Sequence, residues 1–240
     1  MRTYPTLKDR PREFLTATGL THDEFLRLLL AFEAAYTACY PLDKTWHGKA
    51  RRRQRGGGAK GLLVQREDKW LFIVVYQKTK PLQTMHGLHF GRSQPQTPYW
   101  IHRLLPVLRQ ALAALEMAPE RDASRVATSP LRLEGAPAGA LDGTERRRQR
   151  PTDPRQQTAH DSGKKKAHTD KTGLLINEYT SKGVSLRPTV AGKTHDKKAA
   201  DEADLVSPVN STLEKDTGLQ GYEPAGVLTQ QPKKSPGARS

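Results

Sequence analysis

The sequence predicts an α+β chain with a helical N-terminal region followed by an α/β region. Apolar residues recur at helical spacing in several segments up to about residue 115. Residues 117–137 are rich in Pro, Ser, Ala and charge without periodicity, which is typical of a linker. After them, short strand-like runs lead into one helical segment, which indicates a mixed α/β layer.

The composition indicates a basic protein that attracts polyanions. The chain has 240 residues and a formal net charge of +15, so its field favours nucleic acids. Hydrophobic residues make up 35% and aromatic residues 6%, which predicts one or two modest cores. Cys39 is the only cysteine, which excludes an intrachain disulfide and a cysteine-rich zinc module. Without a long apolar run or a signal peptide, we expect a cytoplasmic protein with no membrane partner.

Three segments define the start of the helical region. Thr21–Tyr36 is the clearest predicted helix, and Thr21 with Glu24 forms a capping box at its start. Glu67–Thr79 is apolar nearly all round and predicts a buried helix, although its β-branched residues leave a strand open. Ala50–Lys60 combines four arginines with three glycines and predicts a flexible basic loop.

Residues 81–115 predict a short helix, a tight link and a long helix. This order fits a helix-turn-helix, and an ordinary helical hairpin is the alternative. Thr97 is the predicted N-cap and Pro98 the first helical residue, because proline inside a helix costs about 3 kcal/mol. In a helix-turn-helix, the second helix would present to the DNA groove Gln94, Gln96, Tyr99, His102 and Arg103.

The segment Leu141–Arg150 carries the main chemical signal. Asp142 follows a short apolar run and precedes a cluster of arginines, a combination that suits a metal-dependent phosphate site. The alternative is a strand that ends in an Asp-Gly turn beside a solvated basic run. The side chains that would hold a polyanion backbone are Arg146, Arg147, Arg148 and Arg150.

The remaining α/β elements bring a second aspartate to a strand end. The strand candidates are Ala138–Glu145, Lys166–Asn177 and Val184–Val190. Thr194–Ala203 is the predicted helix, and Leu213–Tyr222 would carry Asp216 at the end of a further strand. Residues 227–240 are polar and predict a disordered tail.

Several sequence blocks occur in an order that is similar to a known family. The blocks are LDGTERRRQRP from Leu141, SGKKKAHT from Ser162, PTVAGKTHDKKAADE from Pro188 and DTGLQGYEPAG from Asp216. Together with the helix-turn-helix pattern, they resemble DDE transposases of bacterial insertion sequences, which belong to the DDE superfamily of endonucleases. The resemblance covers about Phe14 to Gly226.

The resemblance implies a DNA-binding region at 1–116 and a ribonuclease H-like domain at 138–226. In that family, two aspartates and a glutamate hold two Mg²⁺ (or Mn²⁺) ions that support DNA cleavage and strand transfer. Asp142 and Asp216 match the two catalytic, metal-binding aspartates. The implied partner is double-stranded DNA, as the element's terminal repeats and as target. A homo-oligomer when active and an association with the nucleoid are also implied.

Two further blocks match supporting parts of the family pattern. The basic hairpin that would lie along the DNA backbone corresponds to Lys164, Lys165 and Lys166. His195 and Asp196 match a His-Asp pair that we interpret as structural support, with metal ligation by Asp196 as the alternative.

The chain departs from the family at the third carboxylate. The family's glutamate lies on a helix beyond the second aspartate, whereas Glu223 is the only glutamate after Asp216 and sits in a turn. Leu219 stands at the family's tyrosine position. These departures predict a truncated or decaying copy with an incomplete catalytic domain.

We therefore interpret the chain as a transposase that binds DNA but does not cut or join it at a useful rate. The alternative is a catalytically inactive DNA-binding protein that occupies element ends or inhibits an intact transposase. A general basic RNA-binding or ribosomal protein would explain the charge, but it would leave Asp142 and Asp216 unexplained.

Overall fold

A computed structural model describes residues 3–45, 48–51, 63–135 and 138–232. The chain divides into two compact units, residues 1–117 and 118–240. It combines helices with a mixed sheet, as the α+β prediction requires. Among the described helices, none has the length and apolar character needed to cross a membrane. Most of the predicted basic loop, residues 52–60, lies outside the described residues.

The described part of the first unit is helical. Its helices are α1 Tyr4–Leu7, α2 Pro11–Thr18, α3 His22–Cys39, α4 Arg66–Thr79, α5 Gln83–His89 and α6 Gln96–Ala114. Their shared core contains the aromatic side chains of Phe14, Phe25, Phe32, Trp70, Phe72 and Phe90.

The predicted capping box and the predicted buried helix are both confirmed. Thr21 Oγ1 accepts a hydrogen bond from the Glu24 backbone N–H at 3.3 Å, and the Glu24 carboxylate accepts one from the Thr21 N–H at 2.8 Å. In α4, Leu71, Phe72 and Ile73 are fully buried. The strand alternative for this segment is wrong, because α4 packs against α2, α3 and α6 and can be apolar on several faces.

The start of α6 differs from its prediction by two residues. Pro95 is the N-cap, so the assignment of Thr97 to that position is wrong. Thr97 instead lies in the first turn, where its Oγ1 donates to the Ser93 carbonyl at 3.1 Å. Pro98 is the third helical residue, and its missing N–H belongs to the first turn, which has no intrahelical acceptors. Proline is therefore tolerated there.

The second unit is built around a mixed sheet. Its strands are β1 Ala138–Arg147, β2 Asp161–Ser162, β3 Ala167–Asn177, β4 Gly183–Leu186, β5 Val190–Ala191, β6 Ser211–Lys215 and β7 Val227–Gln230. Its helices are α7 Pro130–Leu133, α8 Pro154–His160 and α9 Asp196–Glu202, with 3₁₀ turns at Ala123–Thr128 and Thr217–Leu219.

Strand β1 lies at the centre of this sheet. The order is β2-β3-β1-β6-β7, and β4 and β5 also pair with β3. β1 runs antiparallel to β3 and parallel to β6, and β7 runs parallel to β6. Leu141, Leu175, Leu213 and Ala200 of α9 are buried in one core. The core therefore fixes β1 against β6, the two strands that lead to Asp142 and Asp216.

The prediction that 117–137 is a linker is wrong. Val126 is fully buried and Leu131 nearly so, and both belong to the core of the second unit. The boundary between the units lies at the start of this segment, between Met117 and Ala118. A few apolar residues in short turns show no periodicity in the sequence, so the pattern could not predict their burial.

The prediction that the tail from residue 227 is disordered is also wrong for its first part. Val227–Gln230 form β7, an edge strand whose backbone pairs with β6, although Leu228 remains exposed. Backbone pairing does not require a long apolar run, so the apolar pattern could not predict this strand. Residues 233–240 lie outside the described part of the chain.

Two smaller boundaries also shift. The strand predicted at Val184–Val190 is divided between β4 and β5. The helix predicted to begin at Thr194 begins at Asp196, with His195 as its N-cap.

Candidate functional site

The two aspartates singled out in the sequence lie side by side. Leu141 and Lys215 are the last register pair of the parallel strands β1 and β6. Asp142 and Asp216 are the next residue on each chain segment, and side chains alternate in step along paired strands. Both residues line one cavity of about 480 Å³.

The site opens where β1 and β6 separate. Beyond Leu141, β1 continues to Arg147 in pairing with β3, whereas β6 ends at Lys215. In sheets that contain parallel strands, ligands bind in a crevice outside the carboxyl ends of the strands. The cavity beside Asp142 and Asp216 has this position.

Local hydrogen bonds orient both carboxylates. Asp142 Oδ1 accepts from the N–H of Gly143 at 2.7 Å. Asp216 Oδ1 accepts from the N–H of Thr217 at 2.6 Å and caps the 3₁₀ turn. Both aspartates are exposed, and neither forms an ion pair with another described residue. They therefore remain available to a cation.

A third acidic residue, Glu214, lines the same cavity. It lies two residues before Asp216, on the exposed side of β6, between the buried Leu213 and Lys215. Burial, followed by the nearby Glu214 charge and a hydrogen bond from that residue, raises the pKa of the Glu178 carboxyl. Glu178 and Glu214 therefore lie close to each other. Sequence reasoning missed Glu214, although the two-residue alternation before Asp216 could have indicated it.

The side chains at the cavity suit a hard divalent cation. Carboxylate oxygens are the ligands that Mg²⁺ and Mn²⁺ favour. Within the described ranges, however, no three His, Cys, Asp or Glu side chains are arranged to hold a metal ion. Mg²⁺ is often held by one or two carboxylates together with water and substrate phosphates. Asp142 and Asp216 could hold a cation in that way.

His195 and Asp196 occupy supporting positions. His195 Nδ1 accepts a hydrogen bond from the N–H of the second residue of α9 at 3.3 Å. Asp196 Oδ1 pairs with Lys171 Nζ at 3.1 Å. A Cβ atom on Gly218 would lie 2.9 Å from Asp196 Oδ2, and one on Gly143 would lie 3.5 Å from Oδ1. Asp196 thus packs beside the segments that follow both site aspartates, and Lys171 compensates its charge.

The basic hairpin is an ordered turn between β2 and β3. Asp161 pairs with His168 and Ser162 pairs with Ala167, so the turn lies directly between them. The N–H of Lys165 donates to Ser162 Oγ at 3.2 Å. The exposed side chains that this turn carries are Lys164, Lys165 and Lys166. They form a compact positive surface.

The arginines after Asp142 are exposed but partly engaged within their own unit. Arg146, Arg148 and Arg150 contact, at 3.3, 3.1 and 3.0 Å, the side chains of Thr172, Asp170 and Gln157. Arg147 is exposed at the end of β1. These contacts hold three guanidinium groups in place while leaving them accessible.

The residues predicted to read a DNA groove divide into two groups. Gln94, Gln96 and His102 are exposed. Arg103 Nη1 instead donates to the Tyr99 hydroxyl at 3.1 Å, and its guanidinium lies 3.9 Å from the centre of the Tyr40 ring. Tyr99 and Arg103 therefore form, together with Tyr40, a cluster of stacked and hydrogen-bonded side chains near the start of α6.

Comparisons with protein-family models, with curated proteins and with solved structures find no match for this chain. The second unit combines adjacent carboxylates, at the crevice where β1 and β6 separate, with an exposed basic hairpin. That combination could hold a cation next to the backbone of a polyanion.

Proposed function

We propose that this chain is a DNA transposase of the DDE type, in which Asp142 and Asp216 hold a divalent cation against the phosphate backbone of double-stranded DNA. The observation that carries the proposal is the adjacency of these two aspartates directly after the last paired residues of the parallel strands β1 and β6. They are far apart in sequence, and they resemble, in their order along the chain, the two catalytic aspartates of DDE transposases.

The architecture is compatible with this assignment. Strand β1 is central, with the antiparallel β3 on one side and the parallel β6 and β7 on the other, and α9 packs against this sheet. This arrangement suits a ribonuclease H-like domain. In the first unit, α5 and α6 contact each other across a short turn, which suits a helix-turn-helix. The ribonuclease H-like domain and the helix-turn-helix are both part of the proposal.

Each group has a separate role in the proposed chemistry. A bound Mg²⁺ or Mn²⁺ would stabilise the charge that develops on the phosphate during displacement. Asp142 and Asp216 hold the cation, and the lysines at 164–166 hold the DNA backbone. The Asp196–Lys171 pair positions the segments that follow both aspartates.

The third family carboxylate has no equivalent in Glu223. Lys215 Nζ, which is buried, donates to Glu223 Oε1 at 2.6 Å, and Thr229 donates to Oε2. These hydrogen bonds, the one from Lys215 first, lower the pKa of the Glu223 carboxyl. Glu223 thus stabilises the connection between β6 and β7. With a two-aspartate site, we expect slow chemistry, because each 1.36 kcal/mol of lost transition-state stabilisation slows a reaction about tenfold.

A plasmid nicking assay tests the proposal. Purified chain is incubated with supercoiled plasmid and Mg²⁺ or Mn²⁺, and open circles and 3′-hydroxyl ends are measured. We expect DNA binding with slow nicking that disappears in Asp142→Ala and in Asp216→Ala. Glu202→Gln, which changes an exposed carboxylate of α9, is the matched control and should leave the rate unchanged. A lack of DNA binding, or nicking that both alanine variants retain, would contradict the proposal.

A catalytically inactive DNA-binding protein is the second candidate. It is favoured by the absence, within the described ranges, of any three-residue group able to hold a metal ion. This candidate predicts tight DNA binding with no nicking above background in either metal. The same assay therefore separates the two candidates.

A further inference from the structure

A cavity of about 630 Å³ lies in the first unit, at the carboxyl end of α3. It is formed by the end of α3, part of the loop that follows and the first turns of α6. Its basic and aromatic lining residues are Tyr40, Lys44, Arg51, Tyr99, Trp100 and Arg103. The lining residues in the described part of the chain include no acidic side chain. The cavity is therefore positively charged and bordered by planar groups.

Arg103 is fixed as a planar surface within this lining. Its guanidinium lies 3.9 Å from the centre of the Tyr40 ring, and its Nη1 donates to the Tyr99 hydroxyl at 3.1 Å. The Tyr40 hydroxyl in turn donates to the Arg103 carbonyl at 3.0 Å. The Tyr99 side chain is 52% exposed and packs edge-on against Trp100. These contacts hold the Arg103 guanidinium and the Tyr99 ring in place as planar surfaces at the cavity.

The loop contributes basic groups at a defined place. Arg51 Nε donates to the Lys44 carbonyl at 2.7 Å, and Lys44 forms an isolated bridge with Ala50. The Arg51 N–H donates to the Asp43 carbonyl at 2.7 Å. These backbone contacts place Lys44 and Arg51 on the same wall while both remain exposed.

We propose that this cavity binds an unpaired nucleotide of DNA, which rests on the proposed function in taking DNA as the ligand. Its volume lies within the range of small-molecule sites. An unstacked base offers two planar faces that stack on aromatic rings or on a guanidinium plane. The phosphate of the nucleotide would pair with the positively charged side chains of Arg51 and Lys44. A base inside a duplex has both faces covered, so the cavity favours strands with exposed bases over intact duplex.

At this cavity, two residues that were predicted to read a DNA groove have a different role. Tyr99 and Arg103 line the cavity, whereas Gln94, Gln96 and His102 are exposed and do not line it. Their contribution should therefore be independent of base identity, because every base has a planar face.

The test measures binding of a fluorescein-labelled oligonucleotide by anisotropy, once as a single strand and once annealed to its complement. Tyr99→Ala should weaken single-strand binding about fivefold to a hundredfold, the range for loss of one stacked base, and leave duplex binding unchanged. Tyr99→Phe keeps the ring and should retain single-strand binding. Tyr179→Ala removes an exposed tyrosine of the second unit and is the matched control.

A second pair of variants tests the basic wall. Arg51→Gln should weaken single-strand binding, whereas Arg109→Gln, an exposed arginine on α6 that does not line the cavity, should not. A single strand with one 2-aminopurine should lose fluorescence when the wild type binds, and less so with Tyr99→Ala.

The outcomes separate this inference from the proposed function. Equal weakening of single-strand and duplex binding by Tyr99→Ala, or no weakening of either, overturns the nucleotide site while DNA binding stands. If the wild type binds neither form of DNA, the proposed function and this inference both fail. Circular dichroism melting of each variant shows whether a loss of binding reflects unfolding.

Discussion

Asp142 and Asp216 directly follow the last register pair of β1 and β6 and line the same cavity. Their proximity depends on the pairing of these strands, which the buried Leu141 and Leu213 stabilise. A shift of one residue in this register would move every side chain of one strand to the opposite face. The core of the second unit and its proposed chemistry are therefore linked through one strand pair.

The segment that precedes the sheet should contribute strongly to stability. Leu131→Ala should lower the free energy of unfolding of the second unit by about 2–5 kcal/mol, because it leaves a cavity in the core. Leu133→Ala, on the same helix but 53% exposed, should change it by less than about 0.5 kcal/mol.

Hydrogen exchange of the β1 and β3 amides measures this effect. Tryptophan fluorescence would report on the first unit, because Trp46, Trp70 and Trp100 all lie before residue 117. Equal protection in both variants would mean that residues 118–135 act as a linker after all.

The basic hairpin should supply part of the DNA-binding energy through phosphate contacts. Each neutralised phosphate contributes roughly 0.9 to the slope of log affinity against log salt. Replacing Lys164, Lys165 and Lys166 by alanine should flatten the slope for duplex DNA by up to about 2.7. Titrations at several salt concentrations give the slope.

The control for the hairpin variant removes the same charge elsewhere. Lys8, Lys78 and Lys80 are exposed lysines of the first unit, and their triple alanine variant changes net charge equally. If both triple variants flatten the slope by the same amount, the effect comes from net charge and the hairpin does not contact DNA.

The Lys215–Glu223 contact should make the β6–β7 connection sensitive to acid. Hydrogen bonds from Lys215 and then Thr229 lower the pKa of Glu223 in the folded state. A lowered carboxyl pKa stabilises the fold above the unfolded value of about 4.3, and this stabilisation is lost as the pH falls through the folded value. Glu223→Gln removes the titration while keeping an acceptor.

Hydrogen exchange of the β6 and β7 amides at pH 6 and pH 3, corrected for intrinsic rates, tests whether the Glu223 contact makes this connection sensitive to acid. The wild type should lose more protection than Glu223→Gln between these two pH values. Equal losses would show that the Glu223 contact does not contribute to the acid sensitivity.

Periodicity predicted the first unit well because long helices repeat an apolar pattern many times. The capping box at Thr21 followed from residue type and spacing, and the apolar run of α4 predicted a buried helix while its β-branched residues left a strand open. Short elements could not be predicted in this way. Val126 in the supposed linker and Leu228 in β7 belong to segments of a few residues, where burial or pairing depends on strands distant in sequence.

The candidate site was predictable only in part. The sequence indicated Asp142 from the apolar run before it and the arginines after it, although β1 continues past this residue to Arg147, and the family resemblance indicated Asp216. Strand alternation before Asp216 could have indicated that Glu214 lies on the same side of β6, but its place beside Asp142 depends on the parallel register with β1. The placement of Tyr99 and Arg103 on a cavity wall likewise depends on Tyr40, which lies on a different helix end.

Calorimetric titration with Mn²⁺ tests the central claim most directly. The wild-type chain should bind Mn²⁺, and Asp142→Asn and Asp216→Asn should each weaken binding by at least about tenfold, since even groups that only support metal ligands have effects of this size. Glu202→Gln should bind as the wild type does. Unchanged Mn²⁺ affinity in both asparagine variants would contradict a shared cation site at Asp142 and Asp216.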